Sequence, residues 1–495
     1  MKRLSLLIAV LAVALGAMAQ IERPKLVVGI VVDQMRWDYL YYYYEDYGND
    51  GVKRLLNEGY SCENTMINYV PTVTAIGHTS LYTGSVPYFH GIAGNGFMID
   101  GKPVSSTEDN SVDGVGTDSK IGNNSPRNLR ATTIGDELKQ ALDFDCKVFG
   151  VAIKPRAAIL PAGHSADAAY WWDSEVGHFV TSTYYMDRLP NWVENFNRKY
   201  KTEPKFDLNT SNQGVTYTFR MAEAILENEK LGKGKYTDML CVSVSSTDAI
   251  GHTYSTRGRE NYEVYMQLDK ELAHFFKELD KQVGRGNYLL FLSADHGAAH
   301  NPNFMKEHDQ PAGGWDARTA RNNLNDEILS ECGVPDAIKA IYDYRIYLDY
   351  EKIDSVGADI EQVKKVAVDF LNKENELVLA VDYEKIQEAS IPDILKQRLI
   401  NGYHRGRSGD IVVMTHPGYL PFKVKSDYKG TTHGSWNPYD SHIPLVFMGW
   451  HVPHGSTNEP TFIVDLAPTI CAMLHIQMPN ACIGDAITFD VPKRQ

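Results

Sequence analysis

The stretch YLLFLSADHG, residues 288–297, indicates the fold. It begins as a continuous apolar run without alternation, which is typical of a parallel strand covered on both faces. It ends in Asp295, His296 and Gly297. Because ligands of open α/β sheets collect at the carboxyl ends of the strands, we expect this Asp-His pair to lie at a functional edge.

Other buried runs of the same kind recur along the chain. They are KLVVGIVVD (25–33), CKVFGVAIK (146–154), MLCVSVSSTD (239–248), DIVVMTH (410–416) and PLVFMGW (444–450). Amphipathic stretches lie between some of them, such as TTIGDELKQALD from Thr132, which has a Thr cap candidate and an early Asp136-Glu137 pair. This alternation predicts an α/β fold with a largely parallel central sheet and helices on both faces.

Two regions interrupt the alternation. Residues 97–131 are rich in Ser, Asp, Asn and Gly and predict a long surface excursion. Residues 300–410 contain the alternating strands YRIYLDY and NELVLAVDY and the helix-like EQVKKVAVDFLNK. We predict that this second region is an inserted α+β cap over the main sheet, within one domain spanning residues 20–495.

The N-terminus has the pattern of a secretory signal. Lys2 and Arg3 precede the apolar run 4–15, and residues 17–19, Ala-Met-Ala, form a small-x-small cleavage site. The apolar run is too short to span a bilayer, and no later run is long enough. We therefore predict a signal peptide over residues 1–19, export to the periplasm or the medium, and no membrane span. An uncleaved N-terminal anchor is the alternative.

Composition excludes some classes of function. The chain has 495 residues, 43% of them hydrophobic, and a formal net charge of −14. It lacks the basic stripe that a nucleic-acid backbone requires, so we predict no binding of duplex nucleic acid. An exported chain can pair its cysteines, but the sequence leaves the pairing open. The six are Cys62, Cys146, Cys241, Cys332, Cys471 and Cys482.

Three aspartates and three histidines stand at or near the ends of the buried runs. They are Asp33, Asp248, His252, Asp295, His296 and His433. Carboxylate and imidazole suit zinc, and three protein ligands per ion leave a position open for substrate. A lone Asp at a strand end is more often a turn or cap residue, and a lone His is usually a hydrogen-bonding group. Turn, cap or hydrogen-bonding roles explain less well why Asp295 and His296 are adjacent after one run, while Asp248 ends another and His252 follows it four residues later.

A hydroxyl pair precedes a helix-like segment in VPTVTAIGHTSLYTGS, residues 70–85. Thr72 or Thr74 could cap that helix, because Thr is a common N-cap residue. Alternatively, a hydroxyl at a helix N-terminus lies in positive potential, where anions bind. The stretch alone does not decide between a capping and a chemical role. His78, four residues after Thr74, is expected to pack or bond within the helix.

Two further motifs suit an oxyanion. Lys154 and Arg156 flank Pro155 directly after a buried run, and paired cations of this kind bind phosphoryl oxygens. Asn95, in HGIAGNGF, could donate its amide to the same group. The alternatives are an exposed, solvated pair of cations and an ordinary Asn in a Gly-rich turn.

Six motifs in order, PTVTAIGH, AGNGF, KPR, STDAIGH, SADHG and GTTHGS, resemble the alkaline phosphatase superfamily. More closely, they are similar to the exported bacterial alkaline phosphatases with a Thr nucleophile, typified by the phosphate-irrepressible enzymes. The resemblance runs from about Asp33 to the DLAPTI segment near Asp465. It implies the alkaline phosphatase fold and a phosphoric monoester hydrolase.

The resemblance also implies a role for each residue. Thr74 is the nucleophile that forms a covalent phosphothreonine, and Thr72 is structural. Contacts to the transferred phosphoryl group come from Asn95, Lys154 and Arg156. The two implied zinc sites are Asp248, His252 and His433 for the first, and Asp33, Asp295 and His296 for the second.

The sequence differs from the Ser-dependent alkaline phosphatases and from the sulfatases of the same superfamily. The Ser-dependent alkaline phosphatases have an Arg and a third, magnesium site, whereas this chain has KPR and no evident third ligand set. We therefore expect two zinc ions and no magnesium. Thr74 is followed by Ala-Ile-Gly-His, so the CxPxR or SxPxR motif of sulfatases is absent.

Two other functions remain open from the sequence. One is a phosphodiesterase or nucleotide pyrophosphatase that uses the same Thr74 and metals. The other is a secreted binding protein with a vestigial metal site, although the complete ligand set argues against it. The expected partners are small phosphate monoesters, and neither the natural ester nor the oligomeric state can be inferred.

Overall fold

The computed structural model describes residues 21–489. The predicted signal peptide therefore lies outside the described residues. Within them, every helix is too short or too polar to cross a lipid bilayer. All six cysteines are free thiols.

A ten-stranded sheet, here the central sheet, forms the main core. In spatial order its strands are Gly455–Thr457, Tyr60–Cys62, Leu445–Gly449, Tyr288–Ser293, Leu26–Val32, Asp238–Val244, Val148–Val151, Ala168–Asp173, His178–Ser182 and Gly114–Val115. The five strands from Tyr288–Ser293 to Ala168–Asp173 are parallel to one another. Each of these five is buried along its whole length, as expected for strands covered on both faces. The predicted α/β class with a largely parallel central sheet is confirmed.

Helices cover the central sheet and the insertion. Those of eight residues or more are Thr74–Thr83, Ile134–Ala141, Pro155–Ala162, Asn191–Tyr200, Asn212–Asn228, Ser246–Tyr254, Arg259–Gln282, Ala317–Cys332, Ile360–Leu371, Asp393–Gly402 and Leu466–Leu474. Shorter helices are Tyr39–Tyr42, Val52–Glu58, Pro87–His90, Pro302–Glu307, Tyr350–Ser355 and Pro438–Ser441, with 3₁₀ turns at Tyr44–Asp46, Lys120–Gly122, Tyr383–Glu388 and Ile463–Asp465. The helix after Thr132 begins at Ile134, with Thr133 and Asp136 forming a reciprocal capping box.

A separate four-stranded antiparallel sheet, here the insertion sheet, forms a second unit with its own apolar core. Its strands are, in order, Ile338–Tyr342, Arg345–Leu348, Ile411–Thr415 and Leu377–Asp382. The remaining small sheets pair Gly96–Ile99 with Lys102–Ser105, Gly313–Gly314 with Tyr419–Leu420, and Thr65–Met66 with both His442–Ile443 and Thr461–Phe462. The domain boundaries stay a prediction.

Two strand assignments from the sequence are wrong. DIVVMTH was expected in the parallel sheet, but Ile411–Thr415 lies between two antiparallel partners in the insertion sheet. PLVFMGW forms a strand of the central sheet, Leu445–Gly449, but it runs antiparallel to Tyr288–Ser293. A short apolar run has the same composition in either sheet, and only its long-range partners fix its direction.

Candidate active site

The parallel strands deliver candidate ligands to one edge of the central sheet. Leu26–Val32 pairs with Asp238–Val244 on one side and Tyr288–Ser293 on the other. Val32 pairs with Val244 at the strand ends, and Ser293 ends one residue earlier opposite Val31, so the segments that carry Asp33 and Asp295 leave the sheet side by side. This is the carboxyl edge at which open α/β sheets bind ligands.

Asp248 lies on a helix, and its expected position at a strand end is wrong. The strand ends at Val244, and the helix Ser246–Tyr254 begins two residues later. Asp248 is in the first turn of this helix and His252 is in the last. The four-residue spacing places both on one helix face, with His252 Nε2 3.1 Å from Asp248 Oδ1.

The structure brings the six candidate ligands together in two groups of three. One group is Asp248, His252 and His433, and the other is Asp33, Asp295 and His296. Within each group, one ligand atom per residue lies within 4.8 Å of the others. The two groups adjoin, because the rings of His296 and His433 stack with centroids 3.5 Å apart.

A hydrogen bond to a backbone carbonyl orients each of the three candidate ligand histidines. The Nδ1 atom of each is hydrogen-bonded to a backbone carbonyl, which directs Nε2 toward the carboxylates. The pairs are His252 with Thr431 (2.9 Å), His433 with Thr72 (2.7 Å) and His296 with Gly297 (3.0 Å). A backbone partner on one ring nitrogen fixes the tautomer and the ring plane, as in histidines that bind metals.

Thr74 opens the helix Thr74–Thr83, every residue of which is buried. Neither threonine caps this helix, because the N-cap residue is Val73 and it makes no side-chain cap. The Thr72 hydroxyl instead donates to the Ser435 carbonyl at 3.0 Å. The Thr74 hydroxyl oxygen lies 3.5 Å from His296 Nε2, beside the second ligand group.

The Asn95 side chain contacts the first turn of the same helix. Its side-chain oxygen accepts a hydrogen bond of 2.9 Å from the backbone N–H of Ala75. Its amide nitrogen donates to no side chain or carbonyl within residues 21–489. The carboxamide is thus held against the residue after Thr74, with its donor group unused.

Lys154 links the two groups. It lies at the N-cap of the helix Pro155–Ala162, and its ammonium group donates to Asp33 at 2.6 Å and to Asp248 at 2.5 Å. Arg156 is on the first turn of that helix, and its buried Nε atom has no hydrogen-bond partner among the described residues.

The three carboxylates differ in acidity. Burial, with Asp248 and Asp295 close by, raises the pKa of Asp33 well above its usual value. Burial also opposes the ionisation of Asp248, but Lys154 and His252 outweigh it and hold the Asp248 pKa well below the usual value. Burial opposes the charge of Asp295 as well, yet His296 and His78 lower its pKa.

The histidines respond differently to the same surroundings. Burial lowers the pKa of His296 although Asp295 and Asp248 oppose this shift, and burial lowers the pKa of His433 with His296 close by. A lowered pKa favours the neutral imidazole, which is the form that binds a metal. His252 is the exception, because Asp248 raises its pKa although burial opposes the charge.

Gln34 contributes to the site although the sequence analysis did not single it out. Its backbone N–H donates to Asp295 at 3.1 Å, and its side-chain amide donates to Asp248 at 2.6 Å. It adopts a left-handed backbone with φ of 64°. A side chain at Gly251 would place Cβ only 1.9 Å from the Gln34 amide oxygen, so Gly251 makes room for this contact. The one available signal was its position next to Asp33.

Arg345 joins the insertion to the catalytic region and was also missed. Its side chain is fully buried, and its guanidinium donates to the Ala93 carbonyl and to the Ser408 hydroxyl. Ala93 lies two residues before Asn95. The strand pattern of YRIYLDY predicts the strand but gives no sign of this contact.

A third acidic group, within the insertion, differs from the first two. It contains Glu361, Asp382 and Glu384. Lys364 lies 3.0 Å from Glu384 and 3.6 Å from Asp382, and Lys385 lies 2.6 Å from Glu361. Lysines thus already neutralise these carboxylates, which form an ion-pair network at the surface.

The chain matches a known protein family over most of its length. Residues 27–436 match the family model for type I phosphodiesterase / nucleotide pyrophosphatase. That range includes all ten candidate site residues.

Individual relatives span nearly the whole chain. A protein named calcium-transporting ATPase from Myroides odoratus is 45% identical, over 96% of both chains. The alkaline phosphatase PafA from Elizabethkingia meningoseptica is 43% identical, over 94% of both chains. The crystal structure of wild-type alkaline phosphatase PafA superimposes with a TM-score of 0.91 at 42% identity, covering 94% of this chain and 99% of that one.

Proposed function

The chain belongs to the type I phosphodiesterase / nucleotide pyrophosphatase family, and we propose that it is an exported, zinc-dependent alkaline phosphatase that hydrolyses phosphate monoesters through Thr74. Its similarity to alkaline phosphatase PafA supports phosphatase activity. The observation that carries the finer proposal is the position of the Thr74 hydroxyl, 3.5 Å from His296 in one of two adjoining groups of Asp and His.

The two ligand groups fit zinc. Each has one or two carboxylates and one or two imidazoles, which is the donor set of catalytic zinc sites. Asp33 Oδ1 and Asp295 Oδ2 are buried and accept no well-oriented hydrogen bond in the described residues, although His296 Nε2 lies 3.4 Å from the first and His78 Nδ1 3.2 Å from the second. Unpaired buried carboxylate oxygens are costly, and coordination of a cation satisfies them. When bound, two zinc ions would lower the pKa of the attacking hydroxyl and stabilise the attacking and leaving oxygens.

Asn95, Lys154 and Arg156 are the candidate residues for binding the phosphoryl group. Asn95 has a free amide donor, Arg156 has an unpaired Nε, and Lys154 lies between the two ligand groups. We propose that these three contact the non-bridging oxygens of the transferred group. Two cationic side chains suit the dianionic phosphoryl group of a monoester, which has three such oxygens.

The proposed reaction has two displacements. Thr74 Oγ1 attacks phosphorus, the bond from phosphorus to the ester oxygen breaks, and the alcohol leaves and takes up a proton. A water molecule then attacks the phosphothreonine, the bond to Thr74 breaks, and inorganic phosphate leaves while the hydroxyl regains its proton. Lys154, Arg156 and Asn95 stabilise the charge on the equatorial oxygens in both steps.

Phosphodiester hydrolysis is the competing function, because the family model is named for it. A diester has an additional organic substituent in place of one charged oxygen. Lys154 and Arg156 would therefore help a monoester more than a diester. The test measures kcat/KM for methyl phosphate and for a dimethyl or aryl methyl diester, with ATP included in the panel.

We expect the double variant Lys154→Ala with Arg156→Ala to lose monoester activity by about a thousandfold or more, since each charge-assisted contact contributes roughly 2 kcal/mol. Diester activity should fall much less. Arg321→Ala, in the insertion, is a control that leaves both activities unchanged. Equal losses for the two ester classes would refute the monoesterase assignment.

Export is part of the proposal. The N-terminal pattern of residues 1–19 supports a cleaved signal peptide and a periplasmic enzyme. Fractionation of producing cells, with N-terminal sequencing of the mature protein, tests it. A mature chain that begins at Met1 would contradict it.

A further inference from the structure

A cleft of about 460 Å³ opens beside Asn95. One wall comes from the hairpin of strands Gly96–Ile99 and Lys102–Ser105, and the other from the insertion. The insertion contributes the turn Tyr342–Arg345, here the insertion turn, which joins two strands of the insertion sheet. The lining residues are Asn95, Gly96, Phe97, Pro103, Val104, Ser105, Tyr342 and Asp343.

The cleft is apolar along most of its length. Phe97 is buried, with the Arg407 guanidinium 5.0 Å from the centre of its ring. Pro103 and Val104 add aliphatic surface. Tyr342 is 44% exposed although it is large and aromatic, and its ring lies 5.9 Å from that of Tyr347. An exposed ring at the mouth of an apolar cleft suits stacking against a flat organic group.

Asp343 is the one formally charged residue among those that line the cleft. A Cβ atom added to Gly94 would lie 2.9 Å from its carboxylate oxygen, so Asp343 packs against the residue before Asn95. Its closest ion-pair partner is Arg345 at 3.8 Å, and its side chain is 27% exposed. Within residues 21–489, no group donates a hydrogen bond to this carboxylate. Its acceptor capacity is therefore free for a molecule in the cleft.

The insertion turn is fixed in place by strained but well-packed residues. Asp343 and Tyr344 have φ of 48° and 63°, the left-handed pair typical of a two-residue hairpin turn. Tyrosine is costly at such a position, where glycine is preferred. The Tyr344 ring is buried and packs on Gly434, where an added Cβ would lie 3.0 Å from it. Gly434 follows His433, so the turn is anchored beside a candidate metal ligand.

We propose that this cleft is the leaving-group subsite of the phosphatase and that it selects aromatic esters with a hydrogen-bond donor, a hydroxyl or an ammonium group. The ester group would lie at Asn95, the aromatic ring against Tyr342, and the donor at the Asp343 carboxylate. A leaving group with a second anion is disfavoured, because it would place like charge beside Asp343. This inference rests on the proposed function, since it assigns the alcohol portion of the same substrate.

The test uses aryl phosphates that differ only in a remote substituent. They are phenyl phosphate, 4-(aminomethyl)phenyl phosphate and 4-(carboxymethyl)phenyl phosphate, with methyl phosphate as a small reference. In the zinc-loaded wild-type enzyme, we expect kcat/KM for the ammonium ester to exceed that for the carboxylate ester by about tenfold or more, the ratio that roughly 1.4 kcal/mol produces. In Asp343→Asn this ratio should fall toward one.

Matched variants separate charge from structure. Asp336→Asn is the control for Asp343→Asn, because Asp336 is also an insertion residue with φ of 48°, and its side chain is 75% exposed. It should leave the ratio unchanged. Tyr342→Ala should lower kcat/KM for phenyl phosphate but not for methyl phosphate, and Tyr342→Phe should retain the wild-type preference. Because each result is a ratio within one preparation, partial misfolding of a variant cancels.

Two failures are distinguishable. If the wild-type enzyme hydrolyses the esters but Asp343→Asn keeps the wild-type ratio, the subsite is wrong and the phosphatase assignment stands. If the zinc-loaded wild-type enzyme hydrolyses none of the four esters, the proposed function itself is wrong, and the subsite is refuted with it.

Discussion

His78 and Asp295 face each other in the interior, with His78 Nδ1 3.2 Å from Asp295 Oδ2 and both side chains fully buried. The same nitrogen is hydrogen-bonded to the Thr74 carbonyl at 2.9 Å, as expected for a histidine that bonds within its helix. The other ring nitrogen lies 2.7 Å from the Ser243 hydroxyl. His78 therefore connects the residue proposed as nucleophile to a candidate metal ligand.

This contact predicts an effect of His78 on metal affinity. We expect His78→Asn to weaken zinc binding by about 10- to 100-fold, because groups that orient a ligand contribute on this scale. Zinc competition with a chromophoric chelator measures it. His90→Asn is the matched control, since His90 is equally buried but bonds to Ser80 and the Ile92 N–H instead. Equal effects from the two variants would show that loss of a buried histidine, not the contact to Asp295, is responsible.

The nucleophile assignment predicts a clear difference between two substitutions at position 74. Thr74→Ala should reduce kcat/KM for monoesters by about a thousandfold or more, a loss of roughly 4 kcal/mol, while Thr74→Ser retains much of the activity. Bound zinc should be unchanged in both. Acid quench with ³²P-labelled ester should trap label on the wild-type protein and none on Thr74→Ala. Thr72→Val serves as the control, because it removes a hydroxyl that, within residues 21–489, is bonded to the Ser435 carbonyl alone.

Metal removal should abolish activity and lower stability together. Exhaustive chelation removes the proposed metal ions from three buried carboxylates and leaves the Lys154 ammonium group bonded to only two of them, so the melting temperature should fall. We expect added zinc to restore both properties, and magnesium alone to restore neither. Metal analysis of the reactivated enzyme should return about two zinc ions per chain, on the donor chemistry of the two groups. Full activity in magnesium after chelation would contradict the two-zinc assignment.

His300 predicts a pH dependence of stability. Burial, with Arg36 and Arg257 close by, lowers the pKa of His300 to about 4. The unfolded chain takes up this proton near the ordinary value of about 6.5 and the folded chain does not, so stability is lost as pH falls from about 6.5 to about 4. The contribution is at most about 3 kcal/mol.

The measurement is the urea midpoint of wild type and His300→Gln at several pH values. The variant should lose less stability on acidification than the wild type. Glutamine retains an acceptor for the Thr256 hydroxyl, which lies 2.6 Å from His300 Nδ1. Parallel curves for the two proteins would rule out a role of His300 in the acid sensitivity.

Arg345 predicts coupling between the insertion and phosphoryl transfer. Arg345→Met removes the donors to Ala93 and Ser408, and should cost about 2 kcal/mol of folding free energy. It should also lower kcat/KM for methyl phosphate, since Asn95 follows Ala93 closely, and Arg345→Lys should restore part of this loss. Arg321→Met, which removes a guanidinium bonded to Ile338 and Lys339 within the insertion, is the control. An active-site effect equal to that of the control would contradict the coupling.

Local patterns predicted much of this fold. Four of the six buried runs located parallel strands of the central sheet, and the Thr cap candidate of TTIGDELKQALD located the start of a helix. The Asp295-His296 pair marked the sheet edge at which the candidate ligands lie together, because it follows a strand directly. These features depend on residues that are close together in the chain.

Features that depend on distant contacts were not predictable. Asp248 was assigned to a strand end because the sequence around it does not mark where the strand stops and the helix begins. Gln34 adopts a left-handed backbone conformation, which its residue type does not predict. Its contacts with Asp248 and Asp295, more than 200 residues away, stabilise this conformation. The insertion turn reaches Gly434 only through the tertiary fold.

The packing of the buried Tyr344 ring on Gly434 has a consequence for how the ester specificity of related phosphatases can evolve. The candidate metal ligands come from the edge of the central sheet and its adjoining helix and loops, whereas one wall of the proposed alcohol subsite comes from the insertion turn. Exchange of the insertion turn could change which esters the proposed subsite accepts, while the candidate metal ligands stay the same. Any replacement turn must still present a flat side chain to Gly434, so only a narrow set of sequences is compatible with this kind of drift.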